Sequence, residues 1–199
     1  MQTIFNWILL NYIELIGSVL GIMYVILATR ENSWCWLLGI LNVLIYIYVF
    51  FKAGIFGNMS LQVVYLIISF YGWYLWVRGS NKEGVAISRI STKVFIWCAI
   101  LILVIFLGVY FLLDNINPSV TTHLLDAITT SLGLIGTWLQ ARKILENWLL
   151  WIFADILSVI LYLTQGLYPT TVFYFIMILL AINGYFVWKK QLIKSIALP

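Results

Sequence analysis

The run 94–113, VFIWCAILILVIFLGVYFLL, contains twenty consecutive residues without a charged side chain. A helix of about 20 apolar residues spans the hydrocarbon core of a bilayer. Backbone polar groups inside lipid must be paired within the segment or in a closed barrel, and the run lacks the strict alternation of a barrel strand. It therefore predicts a membrane-spanning helix.

The rest of the chain has the same character. Its 199 residues are 64% hydrophobic and 9% charged, with a mean hydropathy of +1.05, whereas soluble domains carry about 25% charged residues. A water-soluble globular protein is therefore excluded. We predict an all-α membrane protein that forms a single domain, 1–199, with seven transmembrane helices. The predicted spans are 12–29, 34–51, 59–77, 94–113, 124–141, 148–164 and 171–188.

The basic residues predict the orientation of these spans. Ten of the eleven Lys and Arg residues follow the first, third, fifth or seventh span, including Lys82 in the polar linker 78–93, and only Lys52 lies on the other side. Because loops rich in Lys and Arg stay in the cytoplasm, we expect a cytoplasmic carboxyl terminus and an amino terminus outside. The net charge of +4 then reflects topology, and no nucleic-acid partner is expected.

The chain also aligns with itself, without gaps, at an offset of 112 residues. The informative matches are Arg30 with Arg142, Trp36 with Trp148, Trp76 with Trp188, Gly21 with Gly133, Gly54 with Gly166 and Gly72 with Gly184. Glu14 meets Asp126, a conservative pair. The alternative is a chance alignment of hydropathy peaks.

The repeat predicts an arrangement of three, one and three helices. Repeat one covers about 12–78, the connector helix about 94–113 and repeat two about 124–190. The single connector makes both repeats run in the same direction, which is the SWEET-like plan of some carriers, with substrate bound near the midplane between the repeats.

Nothing in the sequence indicates an enzyme. There is no phosphate-binding G-x-x-x-x-G-K-[ST] loop and no H-E-x-x-H or paired-cysteine spacing for a metal. The single histidine, His123, is predicted in an outer loop. We therefore expect no catalytic residues, no metal and no cofactor.

Asp155 is the most informative polar residue, because a carboxylate within a span is costly unless it is paired or faces a cavity. Trp148, Trp151 and Asp155 form W-x-x-W-x-x-x-D and share one helix face. Two indoles and one acceptor suit a flat ring that carries hydroxyl groups or a positive charge. Two alternatives are that Asp155 makes an inter-helix hydrogen bond and that Trp148 is an interfacial anchor.

Further polar and aromatic side chains lie within the spans and are candidates for the same cavity, or for helix–helix packing. They are Asn42, Gln62, Tyr65, Ser69, Trp73, Gln140 and Asn183.

Several segments together resemble the PnuC family of bacterial vitamin transporters, over essentially the whole chain from Trp34 to Lys190. They are Leu61-Gln62-Val63-Val64-Tyr65, Tyr71-Gly72-Trp73-Tyr74-Leu75-Trp76, Ala141-Arg142-Lys143, Glu146-Asn147-Trp148-Leu149-Leu150-Trp151, Asp126, Gly166-Leu167-Tyr168 and Asn183-Gly184 to Trp188. The E-N-W-x-x-W block is the most specific of these.

The resemblance implies a bacterial inner-membrane homotrimer that imports nicotinamide riboside for NAD synthesis by facilitated diffusion. A cytoplasmic kinase would then phosphorylate and trap the nucleoside. The family's binding residues map to Trp148, Trp151 and Asp155, with Gln62 and Asn183 as further contacts; we expect Trp73 to stack on the substrate opposite Trp151.

The resemblance also leaves alternatives. Many members have Asn where this chain has Asp155, and relatives are assigned to thiamine or riboflavin. A carboxylate suits any cationic ring, including that of thiamine. Asp155 as a proton-coupling group, and a non-transporting membrane sensor or assembly subunit, are further alternatives.

Overall fold

The computed structural model describes residues 2–53, 56–78, 85–116 and 122–197. These ranges contain seven helices: α1 (Gln2–Thr29), α2 (Trp34–Ala53), α3 (Phe56–Arg78), α4 (Thr92–Ile116), α5 (His123–Ala141), α6 (Asn147–Thr164) and α7 (Tyr168–Ala197). The predicted all-α membrane class and the seven helices are confirmed, and each predicted span lies within one helix. Gly54, Lys82 and the side chain of Glu14 lie outside the described part of the chain.

Five helices, α2, α3, α4, α6 and α7, are long and apolar enough to cross a membrane. In α1 the described apolar stretch, Leu15–Thr29, is shorter. Helix α5 is more polar, and it is also the most enclosed, packing against α3, α4 and α6. Its polar groups are therefore shielded from lipid by protein. Thr137, for example, is buried, and its hydroxyl donates a hydrogen bond to the carbonyl of Gly133 at 2.8 Å.

Helix packing follows the predicted repeat. Within each triplet the middle helix packs on both neighbours, α2 on α1 and α3, and α6 on α5 and α7. Between the triplets, α1 packs on α7 and α3 packs on α5, two pairs that exchange under the 112-residue offset. Helix α4 packs against α5 alone within the described residues.

Two tryptophan pairs form the core of the bundle, one in each triplet. Trp36 meets Trp76 edge-on, with ring centroids 5.6 Å apart and an interplanar angle of 86°. The equivalent pair, Trp148 and Trp188, has a separation of 5.4 Å and an angle of 85°. The pairs touch each other through Trp76 and Trp188, whose centroids are 6.1 Å apart, so this aromatic core joins the two repeats.

Each pair depends on a glycine at the equivalent position. A Cβ atom at Gly72 would lie 2.5 Å from the Trp36 ring, and one at Gly184 would lie 2.7 Å from the Trp148 ring. Those distances are too short for any side chain, so the matching glycines allow the indoles to lie directly on the backbone of α3 and α7.

The turns that end α1 and α5 are also equivalent. In each, the residue after the helix cap has a positive φ, 54° at Glu31 and 50° at Lys143. The N–H of Glu31 bonds to the carbonyl of Ala28, and the N–H of Lys143 bonds to that of Gln140, both at 3.0 Å. The N–H of the following residue, Asn32 or Ile144, donates to the carbonyl of Leu27 or Leu139 at 3.0 Å. This second bond completes a Schellman motif in each turn.

These two turns meet in an ion pair between equivalent positions of the repeats. The Nζ of Lys143 lies 2.8 Å from Oε2 of Glu31, and the same ammonium group lies 4.8 Å from the centre of the Trp76 ring. The ion pair therefore joins two positions that are equivalent under the 112-residue offset, at the turns that end α1 and α5.

One sequence expectation about the ends of the helices is wrong. His123 was predicted in an outer loop, whereas it is the first residue of α5 and its side chain is buried. Hydropathy placed this polar residue outside the span because it does not record that the His123 side chain is covered by protein.

Candidate substrate site

Asp155 is the ninth residue of α6, at the middle of this 18-residue helix. It is 3% exposed, and no described residue forms a hydrogen bond or an ion pair with its carboxylate. The expected alternative, a hydrogen bond to a neighbouring Asn, Gln or Ser, is therefore not formed among the described residues. A buried carboxylate without such a partner is costly, which is the property expected of a group reserved for a ligand.

Aromatic side chains from four helices are linked to this carboxylate, directly through Tyr174 or through one another. We define the central cluster as Tyr24 of α1, Tyr65 of α3, Trp151, Asp155 and Tyr162 of α6, and Tyr174 of α7. Tyr174 interacts electrostatically with both Asp155 and Tyr65, and Tyr65 with Tyr24. The cluster thus draws on both triplets and lies where they meet.

Trp151 is the aromatic residue of the cluster that lies nearest to Asp155 along α6. It packs against a glycine face of α5: a Cβ at Gly136 would lie 3.3 Å from its indole nitrogen. At Gly133, one turn away, a Cβ would lie 2.5 Å from the Tyr65 hydroxyl and 3.8 Å from the Trp151 ring. The Trp151 N–H is buried and has no hydrogen-bond partner among the described residues, and Trp151 lies one helical turn before Asp155 on α6.

A line of polar groups runs from Asp155 to the start of α5. This end of the bundle is opposite to the end that contains the Glu31–Lys143 ion pair. The rings of Tyr162 and Tyr174 stack, with centroids 5.2 Å apart and an angle of 11°, and their hydroxyl groups are hydrogen-bonded. Tyr162 interacts in turn with Asp126, which accepts a hydrogen bond from Thr122 at 2.8 Å.

Trp148 belongs to a different environment from Trp151, although both were predicted on one ligand-facing stripe. It is 1% exposed, and its ring lies between Trp188 and the backbone of Gly184. It is therefore neither an interfacial anchor nor a member of the central cluster. Trp148 and Trp151 are three positions apart on α6. At this spacing the Trp148 ring packs in the core, whereas the Trp151 ring packs against α5.

The remaining predicted residues lie apart from one another. Gln62 is half-buried on α3, one turn before Tyr65. Trp73 is 40% exposed, further along the same helix, and Asn183 is exposed on α7. Trp151 and Asp155 thus lie one turn apart on α6, whereas Trp73 and Asn183 are at the accessible surface of the single chain.

Sequence reasoning missed Tyr24, Tyr162 and Tyr174. The repeat contained a signal for one of them, since Tyr174 occupies the position in repeat two that Gln62 occupies in repeat one. Tyrosines are common in spans of this composition, so no local pattern distinguished these three from the nine others.

The seven-helix bundle and its apolar spans define a multi-pass membrane protein. The model of the nicotinamide mononucleotide transporter family matches residues 11–190. The chain belongs to this family of bacterial vitamin transporters.

Individual relatives support this assignment, and their names give different transported compounds. The chain is 26% identical over 205 residues to the nicotinamide riboside transporter PnuC of Escherichia coli, covering 90% of this chain and 85% of the relative. It is also 26% identical over 158 residues to the riboflavin/roseoflavin transporter RibM of Streptomyces davaonensis, covering 77% and 73%. A crystal structure of the vitamin B3 transporter PnuC has the same fold, with a TM-score of 0.75, 21% identity, and coverage of 97% of this chain and 87% of that one.

Proposed function

We propose that this protein imports nicotinamide riboside across the bacterial inner membrane for NAD synthesis. Asp155 carries the proposal: it is buried mid-helix, unpaired among the described residues and one helical turn from Trp151. Nicotinamide riboside contains a flat pyridinium cation, which suits an acidic group flanked by aromatic faces. Riboflavin, the cargo named for one relative, has a larger and uncharged ring system and gives no reason for a carboxylate at this position.

In the proposed site, Trp151 stacks on the pyridinium ring and Asp155 faces its charge. We assign binding of the ribose or the carboxamide to the hydroxyls of Tyr65 and Tyr174 and to the N–H of Trp151, which has no partner among the described residues. Contributions from Gln62, Trp73 and Asn183 remain predictions, and we assign Trp148 to packing.

The proposed architecture is one transmembrane domain, 1–199, with seven crossings in the three-one-three arrangement and parallel repeats. The equivalent tryptophan pairs and Schellman turns support this arrangement. Ten of eleven basic residues on one side support a cytoplasmic carboxyl terminus. Transport would occur by facilitated diffusion, with one triplet moving against the other and a cytoplasmic kinase trapping the product. The resemblance of the sequence supports a homotrimer.

The charge of the substrate provides a sharp test. Binding of nicotinamide riboside, its uncharged reduced form, thiamine and riboflavin is measured by calorimetry on the purified protein and on Asp155→Asn. We expect the wild type to prefer the oxidised, cationic form over the reduced one. Loss of the carboxylate should weaken binding of the cation about 10–100-fold, the range of a charge-assisted interaction, and remove the preference.

Val43→Asn is the matched control, because Val43 occupies the position in repeat one that Asp155 occupies in repeat two. It should leave binding unchanged. Equal affinity of the wild type for both redox forms would exclude Asp155 as the partner of the ring charge, and tighter binding of thiamine or riboflavin would replace the proposed substrate. Absence of uptake by the purified protein in liposomes would favour the sensor or assembly-subunit alternative.

A proton-coupled mode is a second candidate, favoured by the polar line from Asp126 through Tyr162 and Tyr174 to Asp155. It predicts that uptake into liposomes stops when a pH gradient is dissipated by an ionophore, and that Tyr174→Phe removes this dependence. For facilitated diffusion, the initial rate of uptake should follow the substrate gradient alone.

A further inference from the structure

A cavity of about 370 Å³ lies at the same end of the bundle as the Glu31–Lys143 ion pair, far from the central cluster. It is bounded by the end of α3, the segment 85–91, the first turn of α4 and the turn between α5 and α6. Nothing in the proposed transport cycle uses it.

The base of this cavity is positively charged. Arg89 and Arg142 both line it, together with the hydroxyl-bearing residues Ser88 and Ser91. The guanidinium of Arg142 lies 5.0 Å from the centre of the Trp138 ring, which holds it in place. Neither arginine forms an ion pair with a carboxylate in the described residues, so both charges are available to a ligand.

Helix α4 adds to this positive potential, because it begins at Thr92 and directs its amino-terminal end at the cavity. Ser91 caps it by accepting a hydrogen bond from the N–H of Val94 at 3.4 Å. Two guanidinium groups, serine hydroxyls and a helix amino terminus form a donor set suited to a phosphate group.

Most of the remaining lining residues of the cavity are apolar. Tyr71 and Leu75 of α3 form one side and Val94 of α4 forms the other. Helices α3 and α4 do not pack on each other within the described residues, since each packs on α5 instead. The gap between them therefore opens laterally, and the next residues on α4, Phe95 and Ile96, are exposed and apolar.

We propose that this cavity binds the phosphate headgroup of an anionic phospholipid, with the first carbons of its acyl chains between Tyr71, Leu75 and Val94. Basic pockets between transmembrane helices are suited to such headgroups. A soluble phosphate ester would match the base of the cavity and gain nothing from its apolar, lipid-facing sides.

A lipid at this position would contact both the segment 85–91, which follows repeat one, and the α5–α6 turn of repeat two. The segment 85–91 is bonded to the α5–α6 turn through Ser88, whose N–H donates to the Lys143 carbonyl at 3.0 Å and whose carbonyl accepts from the N–H of Leu145 at 2.9 Å. The N–H of Ile90 donates to Glu146 at 2.8 Å. A headgroup held by Arg89 and Arg142 would therefore fix the turn that contains Lys143.

The test is native mass spectrometry and thermal unfolding of the full-length protein in detergent with added phosphatidylglycerol, phosphatidylcholine or glycerol 1-phosphate. We expect phosphatidylglycerol alone to be retained and to raise the unfolding temperature. The double variant Arg89→Gln with Arg142→Gln should reduce its apparent affinity at least about tenfold, the loss expected for one charge-assisted contact. The control with the same charge change, Lys190→Gln with Lys194→Gln, should retain binding.

Ser91→Asp provides a second variant that preserves folding, because Asp is as good a helix cap as Ser while its charge repels a phosphate. It should also lose the lipid. Equal retention of phosphatidylglycerol by both cavity variants and the wild type would overturn the proposal. Equal binding of phosphatidylcholine, or displacement of phosphatidylglycerol by glycerol 1-phosphate at equal concentration, would do so as well. None of these outcomes depends on which vitamin is transported.

Discussion

The two helical triplets agree closely at one end of the bundle and differ at its centre. At the end that contains the ion pair they share a tryptophan pair, a glycine beneath it and a Schellman turn, all at the 112-residue offset. At the centre, repeat two has Asp155 where repeat one has Val43. The comparison indicates that the shared features maintain the architecture, and the proposed substrate site uses positions where the repeats differ.

The clearest difference is an exchange of large and small residues. In repeat one Tyr24 lies on α1 against Gly39 of α2, where a Cβ would be 3.1 Å from the ring. In repeat two the equivalent positions are Gly136 and Trp151, so the glycine is on the first helix and the aromatic residue on the second. Each triplet therefore has one aromatic side chain at this contact, but from opposite helices.

The largest effect on stability is expected at the two tryptophan pairs, and it tests whether the two pairs contribute equally to the core. Trp36→Ala and Trp148→Ala should each reduce the free energy of unfolding by about 3–5 kcal/mol, the usual cost of removing a buried large aromatic side chain. The measurement is unfolding in mixed micelles. A loss of substrate affinity in Trp148→Ala without a loss of stability would instead place Trp148 in the binding site.

The glycines under these indoles should have the next largest effect. Gly72→Ala and Gly184→Ala both place a methyl group within 2.7 Å of an indole ring, and overpacking of this kind costs about 1–3 kcal/mol. Gly108→Ala on α4 is the control, because nothing lies within 4 Å of a Cβ there. The same unfolding assay should show similar losses for the first two and none for the third.

Substitutions at Gly39 and Gly136, the glycines that contact Tyr24 and Trp151, should affect substrate affinity differently. In Gly136→Ala the methyl group would press on the Trp151 indole and move it away from Asp155, so we expect affinity for nicotinamide riboside to fall several-fold. Gly39→Ala would move Tyr24 and should have a smaller effect on binding. Calorimetry on both variants tests this order, and the reverse order would make repeat one the main contributor to the site.

The smallest effect is expected for the exchange of both charges at the Glu31–Lys143 ion pair. Glu31→Lys or Lys143→Glu alone leaves two like charges together where Lys143 is 7% exposed, so each should reduce the free energy of unfolding by about 1–3 kcal/mol, more than at an exposed pair. The double variant should recover most of that loss, because the two positions have nearly the same backbone conformation. Unfolding of all four proteins completes the cycle, and no recovery in the double variant would mean that the turns are not interchangeable.

The sequence was sufficient for much of the fold. Continuous apolar runs predicted all seven helices, because lipid requires each crossing to satisfy its own backbone. The gapless 112-residue match predicted equivalent positions such as Trp36 and Trp148, which the structure places in equivalent contacts. Asp155 stood out because a charged group within a span is rare and costly.

The membership of the central cluster required the tertiary structure. Helical spacing placed Trp148 and Trp151 on one stripe, but packing of α6 between α5 and α7 turns one ring into the core and the other toward Gly136. Tyr24, Tyr162 and Tyr174 come together only because α1 packs on α7 and α3 on α5, contacts between residues distant in sequence. Sequence periodicity records which side of a helix is apolar, whereas the neighbour that each side meets depends on how the helices pack.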